Sequence, residues 1–217
     1  MTRFNCVPSV IMINTDLIGD IEINGYEDLL NPALKGKIVF ANPQASSSSF
    51  EHLVNMLYAM GTDGQPNGWE YVRNLCKQLP KGCVNSSSAV YKGVADGEYA
   101  VGLTFEQGAA SYVSQGNVKV VYMEEGVIIR GDGVYIVNDC PNLHSARVFV
   151  DWLTSQEAQT FMNSTQFRRT IRNDVPETEA MASMNSINVI TDDESIAAAN
   201  KAEWISMFQD ALVDAAE

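Results

Sequence analysis

Two runs of serine stand where an extended segment gives way to a helix. Ser46, Ser47, Ser48 and Ser49 follow the stretch Lys37–Ala41, and Ser86, Ser87 and Ser88 follow Cys83 and Val84. The first residues of a helix carry unpartnered backbone N–H groups and the positive end of the helix dipole, which together favour an anion. Serine adds a hydroxyl donor in little space. Two such starts facing one cleft would hold a phosphate, phosphonate or carboxylate without any formal positive charge. Capping alone needs one Ser, Thr, Asp or Asn per helix, so a run of four exceeds that need. Glu106 and Gln107 come just after Tyr99–Thr104. A polar pair at the carboxyl end of a parallel strand stands where open α/β sheets take their ligands; the alternative is a solvated turn.

Other chemistries are poorly supplied. There is no Gly-x-Ser-x-Gly elbow, Walker loop or His-based dyad, so catalysis has little support and no cofactor is expected. Serine without a nearby base is a poor nucleophile. His52 and His144 are isolated, and Cys6, Cys76, Cys83 and Cys140 match no zinc spacing. Cys76 and Cys83 either close the turn between them as a disulfide or remain two thiols. Arg168, Arg169 and Arg172 form the one basic cluster, able to pair a phosphate or to salt-bridge acidic helices.

The elements that must position these groups alternate. Strands are expected at Val10–Ile13, Lys37–Ala41, Cys83–Val84, Tyr99–Thr104, Val118–Tyr122 and Gly133–Val137. Helices are expected at Gly25–Pro32, from the first serines to about Met60, from Trp69 to about Leu79, from Ala89 to about Asp96, and from near Gln107. Three more follow at Ser145–Leu153, Gln156–Asn163 and about Glu194–Ala215, the last with a core face of Trp204, Met207, Phe208 and Leu212. This order predicts an α/β fold with a largely parallel sheet.

Composition narrows the partners. Of 217 residues 46% are hydrophobic, enough for a sizeable core, and the net charge is −13. That balance argues against nucleic acid and against anionic lipid headgroups, yet not against a small anion met by local donors. No stretch has the apolar length to span a membrane. Met1–Pro8 lacks the apolar centre of a secretion signal.

Several stretches, in order, resemble the solute-binding proteins of ABC importers. They are Val10–Leu17, Tyr26–Ile38, Ser86–Gly102, Val121–Gly126, Ala146–Gln159 and Phe167–Val175. The similar branch is the type II group that binds ferric iron, sugar phosphates or aminophosphonates. The resemblance implies two lobes closing on a ligand, with one lobe complete here and only the C-terminal part of the other. Residues 1–32 would end lobe one and cross over, 33–122 would form lobe two, and 123–217 would cross back and complete lobe one. The family's opening portion has no counterpart, which implies uncovered apolar surface and a possible dimer.

For function, the resemblance implies capture of a small anionic, phosphorylated solute outside the cytoplasm, in the periplasm or on the outer face of the membrane, and delivery to ABC permease subunits. Both serine clusters would face the cleft, and Glu106 with Glu125 would accept from hydroxyl or amine groups. Arg130 and Asp132 would line the cleft or pair at the hinge. Ferric iron is the alternative, and a phosphate-ester hydrolase a remote one. Iron-binding members use adjacent tyrosines, whereas the matching region here, Gly108–Val113, holds Tyr112 alone, so an organic anion is favoured over a metal.

Overall fold

The computed structural model describes residues 1–216. Its organising element is a long strand, β1 (Thr2–Asn14). The second half of β1 lies between β3 (Val101–Phe105) and β4 (Val118–Val121), and β2 (Ile38–Phe40) flanks β3. The first half pairs with β5 (Ile129–Val134), forming a two-stranded ribbon that leaves the sheet. β2 and β3 run parallel, whereas β1 is antiparallel to β3, β4 and β5. The sheet is therefore mixed rather than largely parallel. β1 enters it from the ribbon and not through a βαβ crossover, so the rule that makes successive strands parallel does not govern it.

Strand periodicity divides the core between two faces. Ile11 and Ile13 point into one cluster, Val10 and Met12 into the other, all buried. On the first face pack α1 (Ser47–Ala59), α2 (Trp69–Cys76) and α7 (Glu194–Asp214). On the second pack α3 (Ser87–Ala95) and α4 (Glu106–Ala110). Trp204 and Phe208 of α7 are buried, and the Phe208 ring meets Phe40 edge-on at 5.8 Å. α7 thus completes the core around β2. Its amphipathic pattern defines a buried face without saying what covers it.

α5 (Leu143–Leu153) and α6 (Gln156–Gln166) stand apart, around Leu153, Ala158 and Met162 with Phe4 and Val134 of the ribbon. Leu153 is the one buried residue of α5; Val148, Phe149 and Trp152 are exposed. The strand expected at Gly133–Val137 ends at Val134 and begins earlier, and Tyr135 and Val137 are exposed. The helix expected at Gly25–Pro32 is instead two short 3-10 turns, Glu27–Leu30 and Pro32–Leu34. Pro32 lacks the N–H needed to continue the first and opens the second. All four cysteines are free; burial pushes Cys76 and Cys83 up to about 12.

Asn55 ties α1 to the chain leaving β4. Its Nδ2 donates to the Gly126 carbonyl at 2.9 Å and its Oδ1 accepts from Ile128 N at 2.6 Å, with no exposure. Gly126 sits at φ +138, and a Cβ there would lie 2.5 Å from Ile190, so the bend requires glycine. Asn55→Ala is expected to strand both backbone groups and lose about 2 kcal/mol, read as a lower urea midpoint with an unchanged slope.

Candidate ligand-binding site

Three helices begin at the carboxyl edge of the parallel strands. β2 pairs in register with β3, and Ala41, just after β2, forms a parallel bridge to Val84. α1, α3 and α4 start shortly after these three strand ends. The two serine runs and the Glu106–Gln107 pair therefore share one edge.

Within each run the serines divide their work. Ser46 is the cap of α1, accepting from Ser49 N at 3.4 Å and from the Ser49 hydroxyl at 3.1 Å. Ser86 caps α3, accepting from Ala89 N at 3.3 Å, and shares a 3.1 Å contact with Ser88. Ser49 is buried. Ser47 and Ser48 line a cavity of about 490 Å³ together with Ser9 and Phe105. Ser86, Ser87 and Ser88 lie on the same edge outside that cavity's wall.

The other walls are the β1–β5 ribbon, through Arg3, Val7 and Arg130, and the first turns of α7, through Glu194 and Lys201. Arg130 is already committed. Its guanidinium grips both oxygens of Asp192 at 2.7 and 2.6 Å and Glu51 at 2.5 Å. Burial pulls its pKa down, but the hydrogen bonds and charges of Asp192 and Glu51 outweigh that and raise it. Arg130 thus pairs with Asp192 and Glu51 rather than Asp132, which lies 3.8 Å from Arg168. Arg3 reaches Glu194 at 3.3 Å on the exposed rim. Lys201 has no carboxylate partner among the described residues and holds its ammonium 4.9 Å from the centre of the Phe50 ring. An aromatic face beneath a cation is mildly attractive and leaves the N–H donors open. Ser9, Arg3 and Lys201 carried no sequence signal, because each sits singly in a strand or helix with nothing in its neighbourhood marking it as a ligand group.

The acidic candidates are occupied elsewhere. Glu106 is 1% exposed, and its carboxylate takes Arg169 Nε at 3.1 and 2.9 Å, Arg169 Nη2 at 2.5 Å and the Tyr122 hydroxyl at 2.5 Å. Those bonds use its acceptor capacity, so in this conformation Glu106 is a structural anchor for α4, not an acceptor for a ligand. Burial, then the Glu106 charge, raises the Tyr122 pKa and keeps the phenol a donor. Glu125 lies away from the serines: it accepts from Glu27 N at 2.9 Å, against Gly25. A Cβ at Gly25 would fall 2.1 Å from that carboxylate, so a larger residue there must displace the Glu125 side chain. Gln107 donates to the Gln166 carbonyl at 3.1 Å beside a 230 Å³ recess that shares Phe105 with the larger cavity. Tyr112 packs on Tyr91, ring centres 5.8 Å apart. No cluster of three or more His, Cys, Asp or Glu suited to a metal is present among the described residues, and no helix among them is long and apolar enough to cross a membrane.

The arginine cluster takes the salt-bridging role: Arg169 with Glu106, Arg172 with Asp174 at 2.7 Å, and Arg168 with Asp132. What remains along this edge is a set of helix N-termini, the Ser47 and Ser48 hydroxyls, the latter 3.1 Å from Ser46 Oγ, and one lysine without a carboxylate partner among the described residues. The sequence model of the bacterial extracellular solute-binding proteins matches residues 1–195.

The chain belongs to that family.

This solute-binding protein is 26% identical over 186 residues to Iron uptake protein A1 of Synechocystis, covering 80% of this chain and 51% of that one. It spans about half the length of the curated relatives it matches, 48% of one and 51% of the other. Among solved structures, AfuA from Actinobacillus pleuropneumoniae, with exogenous fructose-6-phosphate bound, superposes with a TM-score of 0.83 at 21% identity, over 97% of this chain and 68% of that one. A protein described as a two-component system protein mediating signal transduction matches at 32% identity and a TM-score of 0.69, over 88% of this chain and 63% of that one. The fold is that of the type II periplasmic binding proteins.

Proposed function

We propose that this protein captures a small phosphorylated organic solute outside the cytoplasm for delivery to ABC permease subunits. The carrying observation is the cavity where Ser47 and Ser48, at the start of α1, meet Ser9 and the unpaired Lys201. Helix N–H groups, hydroxyls and one ammonium suit a phosphate or phosphonate, with the remaining volume left for its organic part. Hinge motion of the β1–β5 ribbon would close the site. The resemblance of fold to a protein with fructose-6-phosphate bound supports a phosphorylated ligand.

Iron is the second reading, supported by the similarity to Iron uptake protein A1. Thermal-shift titrations separate the two. The chain is expected to gain stability saturably with a sugar phosphate or an aminophosphonate, and to lose that response about tenfold or more on Ser48→Tyr or Lys201→Glu. Stabilisation by ferric citrate alone, with a visible charge-transfer band, would replace the phosphate reading by iron.

A further inference from the structure

The β1–β5 ribbon has a second face. Successive strand residues point to opposite sides, so Val7 and Ser9 face the anion cavity while Cys6 faces away. Behind the ribbon lies a separate cavity of about 550 Å³, lined by Cys6, Asn163 of α6, and the segment from Arg169 to Asn185. It shares no lining residue with the anion cavity.

Two buried polar atoms of its wall lack partners, while Glu177 stands at its exposed side. Asn163 is 3% exposed, and its Oδ1 has no hydrogen-bond partner; neither has the buried Thr178 Oγ1. Arg169 spends Nε and Nη2 on Glu106 and the Ala182 carbonyl, and Nη1 makes no hydrogen bond among the described residues. A buried amide oxygen without a donor is costly, and the space is many times that of one water, about 30 Å³.

Charge limits what can enter. Arg169 is neutralised by Glu106 and Arg172 by Asp174. Glu177, held by the Ser183 hydroxyl at 2.7 Å, leaves one negative charge over. A phosphate or dicarboxylate is therefore disfavoured. A ligand needs an oxyanion for Arg169 Nη1 and N–H donors for Asn163 Oδ1 and Glu177, all of which line this one cavity. Val175 and Met181 supply apolar wall. We propose that this cavity binds a free amino acid as its zwitterion, carboxylate to Arg169, ammonium to Asn163, Thr178 and Glu177, and a short apolar side chain against Val175 and Met181. This site is independent of the anion cavity and of the solute it takes.

The test is calorimetric titration of the chain with the proteinogenic amino acids, with acetate, methylammonium and inorganic phosphate as partial ligands. At least one amino acid is expected to bind saturably, with each partial ligand about tenfold or more weaker. Asn163→Leu and Thr178→Val are each expected to weaken binding, while Ser48→Tyr leaves it unchanged. The bound amino acid is expected to slow peptide-resolved iodoacetamide alkylation of Cys6. Should Asn163→Leu fail to fold, Thr178→Val and the Cys6 readout carry the test. No saturation at millimolar amino acid, unchanged affinity in the folded variants, loss of binding on Ser48→Tyr, or tighter binding of phosphate would each overturn the assignment.

Discussion

Glu106→Gln is expected to destabilise the protein by about 3–5 kcal/mol, because it leaves the Arg169 guanidinium buried without its counter-charge. The pair is bidentate and inside the protein, with side chains 7% and 1% exposed. Arg169 also holds the Ala182 carbonyl, and its own carbonyl accepts from Cys6 N on the ribbon. The bond therefore fastens α4 to both the ribbon and the segment after α6. Arg169→Met should cost a similar amount for the mirror reason, a buried carboxylate left with the Tyr122 hydroxyl alone. The double variant Glu106→Gln, Arg169→Met removes both charges and should recover about 2 kcal/mol or more relative to the sum of the single losses. Urea unfolding of the four proteins reads this coupling. Additive losses would show that the two charges do not depend on each other.

The second large effect is a loss of stability in mild acid traced to His52. This imidazole has no exposure and lies edge-on to Tyr26 and Phe40, with ring centres 5.8 Å away in each case. Nδ1 donates to the Thr104 carbonyl at 3.0 Å, and Nε2 has no partner. Burial pushes the pKa from 6.5 down to about 4, against a small opposing pull from that carbonyl. Above 6.5 the ring is neutral in both states and stability is complete. As the pH falls below 6.5 the unfolded chain takes up a proton that the folded chain refuses until about 4. Stability is lost across that window, by about 3 kcal/mol in all. His52→Gln keeps an amide donor for Thr104 without a titrating group, so its unfolding free energy should lack this component of the slope. Equal slopes for the two proteins between pH 6.5 and 4 would remove His52 as the cause.

Local chemistry was legible in the residues themselves. Ser46 and Ser86 cap helices because a hydroxyl three residues before an N–H can reach it whatever surrounds them. The 3.6 period of α1 and the period of 2 in Val10–Ile13 followed from which side chains must leave water. Breaks were harder to place where one residue carries them: Pro32 split an expected helix into two 3-10 turns, and β1 ran on through Thr2–Pro8, where half-exposed residues give no apolar signal.

Pairing between distant segments was not legible. Glu106, following a strand, looks like a ligand group until Arg169 arrives from 63 residues away and occupies it. Glu125 likewise turns to a backbone N–H 98 residues earlier. Lys201 became part of the site because α7 returned to the sheet that holds α1. The order of strands and helices and the serine caps determined an α/β chain with serines at two helix starts, since these depend on contacts within a few residues. Which charges stay free for a ligand, and which neutralise one another in the interior, was decided by tertiary structure alone, because a charge is available or spent according to what lies within a few ångströms in space and not along the chain.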